Sequence, residues 1–313
     1  MRVYIKKAPI ILTLLLTIVL SACGSSATAT PASQPPPSTS NNNEPDEPAA
    51  SPTEEVNVDP EFARPDISQA KFDNPTKIDN KYFPMNPGTQ LVFEGLTEEA
   101  GITYEHSIIY YVTDLTKEIM GIETVVAWIL DYSNGQLVEA EIAFYAQDND
   151  GNVWFMGEHP EVYEEGKLVE APTWIPGIRG AEAGLVMKAD PQLDQPSYAQ
   201  GWGPAVGWTD RGHVVGMGER VCVPVACYDD VLVTEEFSQS EPNAFQVKSY
   251  APGVGNIKVT WRGDDATHEE LELTEINILT PEELADVRAK ALELEAHAYE
   301  ISKEVYDQTT PSR

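Results

Sequence analysis

The feature that most constrains this chain is a series of period-two segments joined by two-residue turn signals. Tyr104, His106, Ile108, Tyr110 and Val112 alternate with Glu105, Ser107, Ile109 and Tyr111. Successive side chains of a strand point to opposite faces, so this alternation predicts β-structure. Residues 125–130 form a short continuous apolar run, the pattern of a strand covered on both faces. Asn134-Gly135 marks a tight hairpin. The return strand sets Val138, Ala140, Ile142 and Phe144 on one face against Glu139, Glu141 and Ala143 on the other. Asp150-Gly151 and Glu165-Gly166 are further hairpin signals, the first leading into Val153-Trp154-Phe155.

The C-terminal half continues in this style. Residues 221–234 read as two strands around Val223-Pro224-Val225-Ala226, followed by strands at 245–250, 256–262 and 271–278. In the last, apolar parity switches from Leu271 and Leu273 to Ile276 and Ile278, which predicts a bulge near Thr274. Several short strands with regular turns imply a mainly β fold, a curved or closed antiparallel sheet. One long helix closes the chain. Thr280-Pro281-Glu282-Glu283 supplies an N-cap, a proline at N1 and a capping-box glutamate. Leu284, Val287, Ala291, Leu294, Ala298, Ile301 and Val305 then form one apolar seam, whose expected partner is the chain's own sheet or, alternatively, another helix.

The N-terminus carries an address. Residues 1–7 contain Arg2, Lys6 and Lys7 and no acid, and an apolar run over 8–20 follows. A basic head, a short apolar stretch and small residues at the cut form a secretory signal. The run is shorter than the roughly 20 apolar residues a membrane-spanning helix needs. Leu20-Ser21-Ala22-Cys23 resembles the lipobox of bacterial lipoproteins. That resemblance implies cleavage before Cys23, a diacylglyceryl group on its thiol, palmitate-type acyl chains, and a location on the extracytoplasmic side of the cell membrane. After Cys23, the segment to residue 60 is rich in Pro, Ser, Thr, Asn and Glu and has no aromatic residue. It reads as a disordered tether spanning on the order of 35 Å. The expected organisation is a signal at 1–22, a lipidated cysteine and tether at 23–60, a β domain at 61–279, and a helix at 280–307 packed on that domain.

The formal net charge of −31 repels phosphate backbones, and there is no basic patch, so nucleic-acid binding is excluded as a reading. Cys222 and Cys227, separated by four residues between two strands, read as a disulfide clip, which an exported location permits. Asp148-Asn149-Asp150-Gly151-Asn152 is similar to a calcium loop, but the twelfth position is His159 and both flanks are strands, so it reads as a polar turn. The stretch 200–219 is rich in glycine and holds Trp202, Trp208, Asp210 and His213. It is the candidate ligand-binding loop, or else an irregular connection whose tryptophans plug the core. Neither a G-x-S-x-G elbow nor an H-E-x-x-H motif occurs, and the carboxylates are too numerous to single out an acid–base pair. No catalytic residue, metal ligand or cofactor is assigned.

Phe72-Asp73-Asn74-Pro75-Thr76, Ile78-Asp79-Asn80, Tyr82-Phe83-Pro84 and Pro87-Gly88-Thr89 resemble the opening of a group of uncharacterised exported bacterial proteins. So do Tyr145-Ala146-Gln147-Asp148 through Trp154, and the stretch from Lys248-Ser249-Tyr250 to Gly255. The resemblance implies export and no established activity; the group lacks the Cys222 and Cys227 pair, which marks the disulfide as a local addition. The expected function is a non-catalytic binding or scaffold protein of the cell envelope. Its expected partners are the membrane, through lipid on Cys23, and a small apolar ligand or an envelope protein. One alternative is a surface-anchored hydrolase using carboxylates or a divalent ion. Another is self-association through the C-terminal helix.

Overall fold

The computed structural model describes residues 63–313, Pro242 excepted. Cys23, the signal before it and the tether after it lie outside the described residues.

Two short strands, β1 (Ile78–Asp79) and β2 (Pro84–Met85), pair with each other. A meander follows: β3 (Thr89–Glu99), β4 (Ile102–Ile119), β5 (Ile122–Ser133), β6 (Gln136–Gln147) and β7 (Val153–Glu164). Both β8 (Lys167–Glu170) and β9 (Glu182–Met187) pair with β7. After β10 (Tyr198–Ala199) and β11 (Gly201–Trp202) comes a second meander: β12 (Asp210–Val223), β13 (Ala226–Ser238), β14 (Ala244–Ala251), β15 (Gly255–Gly263) and β16 (Glu270–Ile278). The main sheet runs β10-β12-β13-β14-β15-β16-β3-β4-β5-β6-β7-β9-β11, antiparallel throughout. Among the described residues no ladder closes it. Yet its two ends, β10 and β11, are separated only by Gln200. A sheet whose opposite edges both pair with one short piece of chain has to curve round.

The strands are longer than the sequence reading had them; β4 spans 18 residues and β12 spans 14. Bulges hide that length, because each shifts the apolar parity without ending the strand. Between Val112 and Thr116 the register slips, and the Thr113 hydroxyl bridges the gap by donating to Val126 O at 2.6 Å and accepting from Leu115 N at 3.1 Å. The bulge expected at Thr274 is present, between Leu273 and Glu275. Asn134 and Gly135 have φ of 48° and 73°, the left-handed pair that matches a two-residue turn to strand twist.

Ladder register assigns the faces of β4 to β7. On one lie Tyr111, Trp128, Leu130, Ala140, Ile142, Phe144 and Trp154. This outer face receives the helix α1 (Pro281–Ile301), whose Ala291, Leu294 and Ala298 join Val126, Leu130, Ile142 and Phe144 in one core. Fully burying a leucine contributes roughly 1.5–3 kcal/mol. Thr280 caps the helix as expected, with a capping box to Glu283. The helix is shorter than the seam suggested. It breaks at Ser302, and α2 (Lys303–Tyr306) turns Val305 and Tyr306 inward while Ile301 stays 36% exposed. The tail returns to β4, where Arg313 and Thr116 exchange backbone hydrogen bonds at 2.9 Å. Beneath it Lys117, fully buried, meets Glu295 at 2.8 Å and lies against the rings of Phe144, Tyr299 and Tyr306.

The inner face is stoppered at the end carrying the β6–β7 turn. Ile78, Tyr82 and Met85 pack there with Val112, Val125 and Val153. Asn80 donates to Gly151 O at 2.9 Å and Lys188 O at 3.1 Å, and Phe83 meets Tyr145 and Tyr250. Among the stretches that carried the resemblance to exported proteins, residues 78–85 form this stopper.

Candidate functional site: an acid-lined concave face

Away from the stopper, toward the turn at Asn134-Gly135, the inner face becomes polar. Register sets His106, Ile108 and Tyr110 of β4 beside Asp131 and Ile129 of β5, then Glu139 and Glu141 of β6, then Glu158 of β7. Glu139, Glu141 and Glu158 are 3%, 1% and 3% exposed. Gly157 makes room for this. It holds φ at +99°, and a Cβ there would lie 2.4 Å from Trp174 O. With no Cβ in the way, Glu158 and Trp174 exchange backbone hydrogen bonds, and the Trp174 indole donates to Glu158 Oε1 at 3.2 Å.

Taking carboxylates out of water favours the protonated form. Burial pushes Glu158 up to about 7, reinforced by the charge of Asp210 and moderated by the Trp174 hydrogen bond. Glu139 is raised well above the carboxylate range by burial, then by Asp131 and Glu158. Glu141 is raised likewise by burial, then by Glu158 and Glu139. The charges of Glu141 and Glu158 act on one another, which favours a proton on one of the pair. Glu139 Oε1, both Glu141 oxygens and Glu158 Oε2 have no hydrogen-bond partner. The Tyr110 hydroxyl is also sealed from solvent without one; its approach to Tyr145 falls short of hydrogen-bond geometry.

Two other acids of the concave face have basic partners. His106 Nε2 meets Asp131 at 2.8 Å, with Glu269 at 3.4 Å from Nδ1. Burial alone would lower the imidazole pKa, but the bond and charge of Asp131 and the charge of Glu269 raise it above its ordinary value. Across the face, Glu236 takes Lys248 Nζ at 2.6 Å and the Tyr250 hydroxyl at 3.1 Å. Burial opposes ionisation of Glu236, but Lys248 holds its pKa below the usual value.

The residues singled out in the 200–219 stretch are divided by this arrangement. Trp208 is buried against Trp174 at 4.8 Å and Phe155 at 5.5 Å, as a plug beside Glu158. Asp210 faces the buried carboxyls and acts on Glu158 through its charge. His213 is three residues along β12 and therefore on the opposite face, paired in register with Glu235. Trp202 lies at the sheet edge under the Arg64 guanidinium. Asp210 and His213 are thus not a pair, because the stretch is largely strand rather than loop. Cys222 and Cys227 face each other in register and form the disulfide, across a tighter, two-residue turn. Asp148 accepts from Asp150 N, Asn152 N, Asn152 Nδ2 and Trp154 Nε1, so its oxygens hold the polar turn together. Among the described residues no group of three or more His, Cys, Asp or Glu is placed to hold a metal ion. None of the described helices is long and apolar enough to cross a membrane.

No family model and no curated protein matches the chain. Solved structures with some likeness include a protein described as a lipoprotein from Parabacteroides distasonis ATCC 8503, at 14% identity and a TM-score of 0.35. Another is an exported protein with a YmcC-like fold from Bacteroides fragilis NCTC 9343, at 12% identity and a TM-score of 0.32. Each likeness covers 63% of this chain and 99% of the other. Likenesses this distant bear on neither the site nor its ligand.

Proposed function

We propose that this protein is a lipid-anchored extracytoplasmic binding protein whose concave face receives a small ligand. The anchor rests on Leu20-Ser21-Ala22-Cys23 and the tether behind it. The binding role rests on one observation: Glu139, Glu141 and Tyr110 hold polar atoms sealed on the concave face with no partner. A buried polar atom left unpaired costs about 1–3 kcal/mol, and a ligand supplying the missing partners offsets that cost. The ligand is not the purely apolar one that a plain curved sheet suggests, because acids line one end of the face.

Native mass spectrometry of the protein purified from its own host tests both parts. The expected mass lacks residues 1–22, carries acyl chains at Cys23 and includes a bound small molecule. A ligand-free mass under gentle conditions would refute the binding role, and an unacylated Cys23 would refute the anchor. A hydrolytic reading draws on Glu158, whose pKa near 7 suits a general acid. Turnover in a screen of ester, glycan and peptide substrates, abolished by Glu158→Gln, would replace binding with catalysis.

A further inference from the structure

We infer that the ligand of the concave face carries a cationic amine, which docks among Glu139, Glu141 and Glu158. This rests on the binding reading above and names the chemistry that the site selects.

The concave face treats its acids unequally. Asp131 has His106, and Glu236 has Lys248. Among the described residues no Lys, Arg or His pairs with Glu139, Glu141 or Glu158. An ammonium group presents three donors and no acceptor. Those donors find unpartnered acceptors there: the two Glu141 oxygens, Glu139 Oε1 and Glu158 Oε2.

A second observation comes from a side chain that is not an acid. Tyr110 stands abreast of Ile129 and Glu141 across β4, β5 and β6, and its hydroxyl, shut off from solvent, has no partner. That hydroxyl feels the charge of Glu141, two strands away on the same face. A phenol can accept from an ammonium while the carboxylates carry the opposing charge.

The walls set the rest of the ligand. Ile108, Ile129, Ala143 and Phe155 lie on the same face, and Trp174 packs edge-on to Phe155 at 5.3 Å. Such walls suit an organic cation, whose alkyl or aryl body is desolvated along with its charge. A hydrated inorganic ion would gain nothing from them. Without ligand, the three acids limit their mutual repulsion by holding protons. An arriving ammonium favours the carboxylate forms, so docking releases protons to solvent and tightens as pH rises through the Glu158 pKa near 7.

The experiment is isothermal titration of the lipidated protein in detergent micelles with 2-phenylethylammonium. The neutral isostere 2-phenylethanol is the control, and both are run at pH 6 and pH 8 in buffers of differing ionisation heat. The expected result is binding of the amine at least tenfold tighter than the alcohol at pH 8. Affinity should weaken by up to about tenfold at pH 6, with proton release measurable from the buffer dependence. Glu141→Gln and Glu158→Gln should each weaken the amine and leave the alcohol unchanged. If either variant fails to fold, the wild-type pH dependence and proton release still decide. Equal affinity for amine and alcohol, or binding without proton release, overturns the amine while leaving a binding face. Failure of both probes also overturns the amine, and the ligand mass from the host separately judges the binding role.

Discussion

Glu158→Gln should stabilise the ligand-free protein, and only above the pH at which a normal glutamate has already ionised. Glu158 is 3% exposed and its pKa is raised from 4.5 to about 7, burial being the main cause. The folded protein therefore holds this proton more tightly than the unfolded chain does. The stability this confers is complete below about pH 4.5, declines as pH rises, and is gone above about 7. At about 1.4 kcal/mol per pKa unit, the wild-type protein loses about 3 kcal/mol over that window from this group. Glutamine cannot ionise, keeps an oxygen for the Trp174 indole, and escapes the loss. For a domain of this size 1 kcal/mol moves Tm by roughly 2–4 °C, so the variant should melt about 6–12 °C above wild type at pH 8. At pH 4 the two should nearly coincide. Differential scanning calorimetry at pH 4, 6 and 8 measures this directly. A variant no more stable than wild type at pH 8, or an advantage independent of pH, would refute the assignment of Glu158 as a buried, strained acid.

Other consequences are separable from that one. Lys117→Ala strands Glu295 under the helix and should cost about 3–5 kcal/mol in urea unfolding, whereas Lys117→Met with Glu295→Leu should recover most of it. Reducing the Cys222–Cys227 disulfide, which closes a short loop at a hairpin tip, should cost about 2 kcal/mol by the chain-entropy account; a mild reductant during thermal melting shows it. Thr280→Ala removes the cap that accepts from Glu283 N and should cost about 1 kcal/mol, measured by the same unfolding assay.

What sequence made legible were the features that depend on neighbours along the chain. The Asn134-Gly135 turn, the Thr274 bulge, the Cys222–Cys227 pair and the Thr280 cap each follow from a few adjacent residues, and each is present. The helix break at Ser302 has no glycine or proline to announce it; there the Ser302 hydroxyl meets Thr173 Oγ1 at 2.9 Å and Tyr306 fills the core. The acid cluster was hidden for a different reason. Glu139 and Glu141 alternate with apolar residues, the ordinary pattern of a strand with one wet face. A signal was nonetheless available. Residues 125–130 imply a strand covered on both faces, and the Asn134-Gly135 hairpin makes β6 its immediate neighbour. Glu139 and Glu141 lie opposite Asp131 and Ile129, so whatever covers β5 on that side also covers them.

The two faces of β4 to β7 answer the burial of charge in opposite ways. On the outer face Lys117 and Glu295 neutralise each other, and Glu295 also takes Ser312 N. His159 is held at both nitrogens, by Thr173 at 2.6 Å and Glu161 at 3.2 Å, and Glu161 is bonded in turn by His297 at 2.7 Å. Among the described residues the Tyr306 hydroxyl alone is left over there. On that face helix, tail and sheet supply one another's partners, and the apolar seam of the helix packs on the chain's own sheet. The concave face has the same fold around it and the same means of pairing acids, as Lys248 with Glu236 demonstrates. Packing alone would be better served by apolar residues at 139, 141 and 158, since replacing buried charged groups by well-packed hydrophobic ones is often neutral or stabilising. Carboxyls held there without partners are costly to the free protein, and that cost is what the proposed ligand would offset.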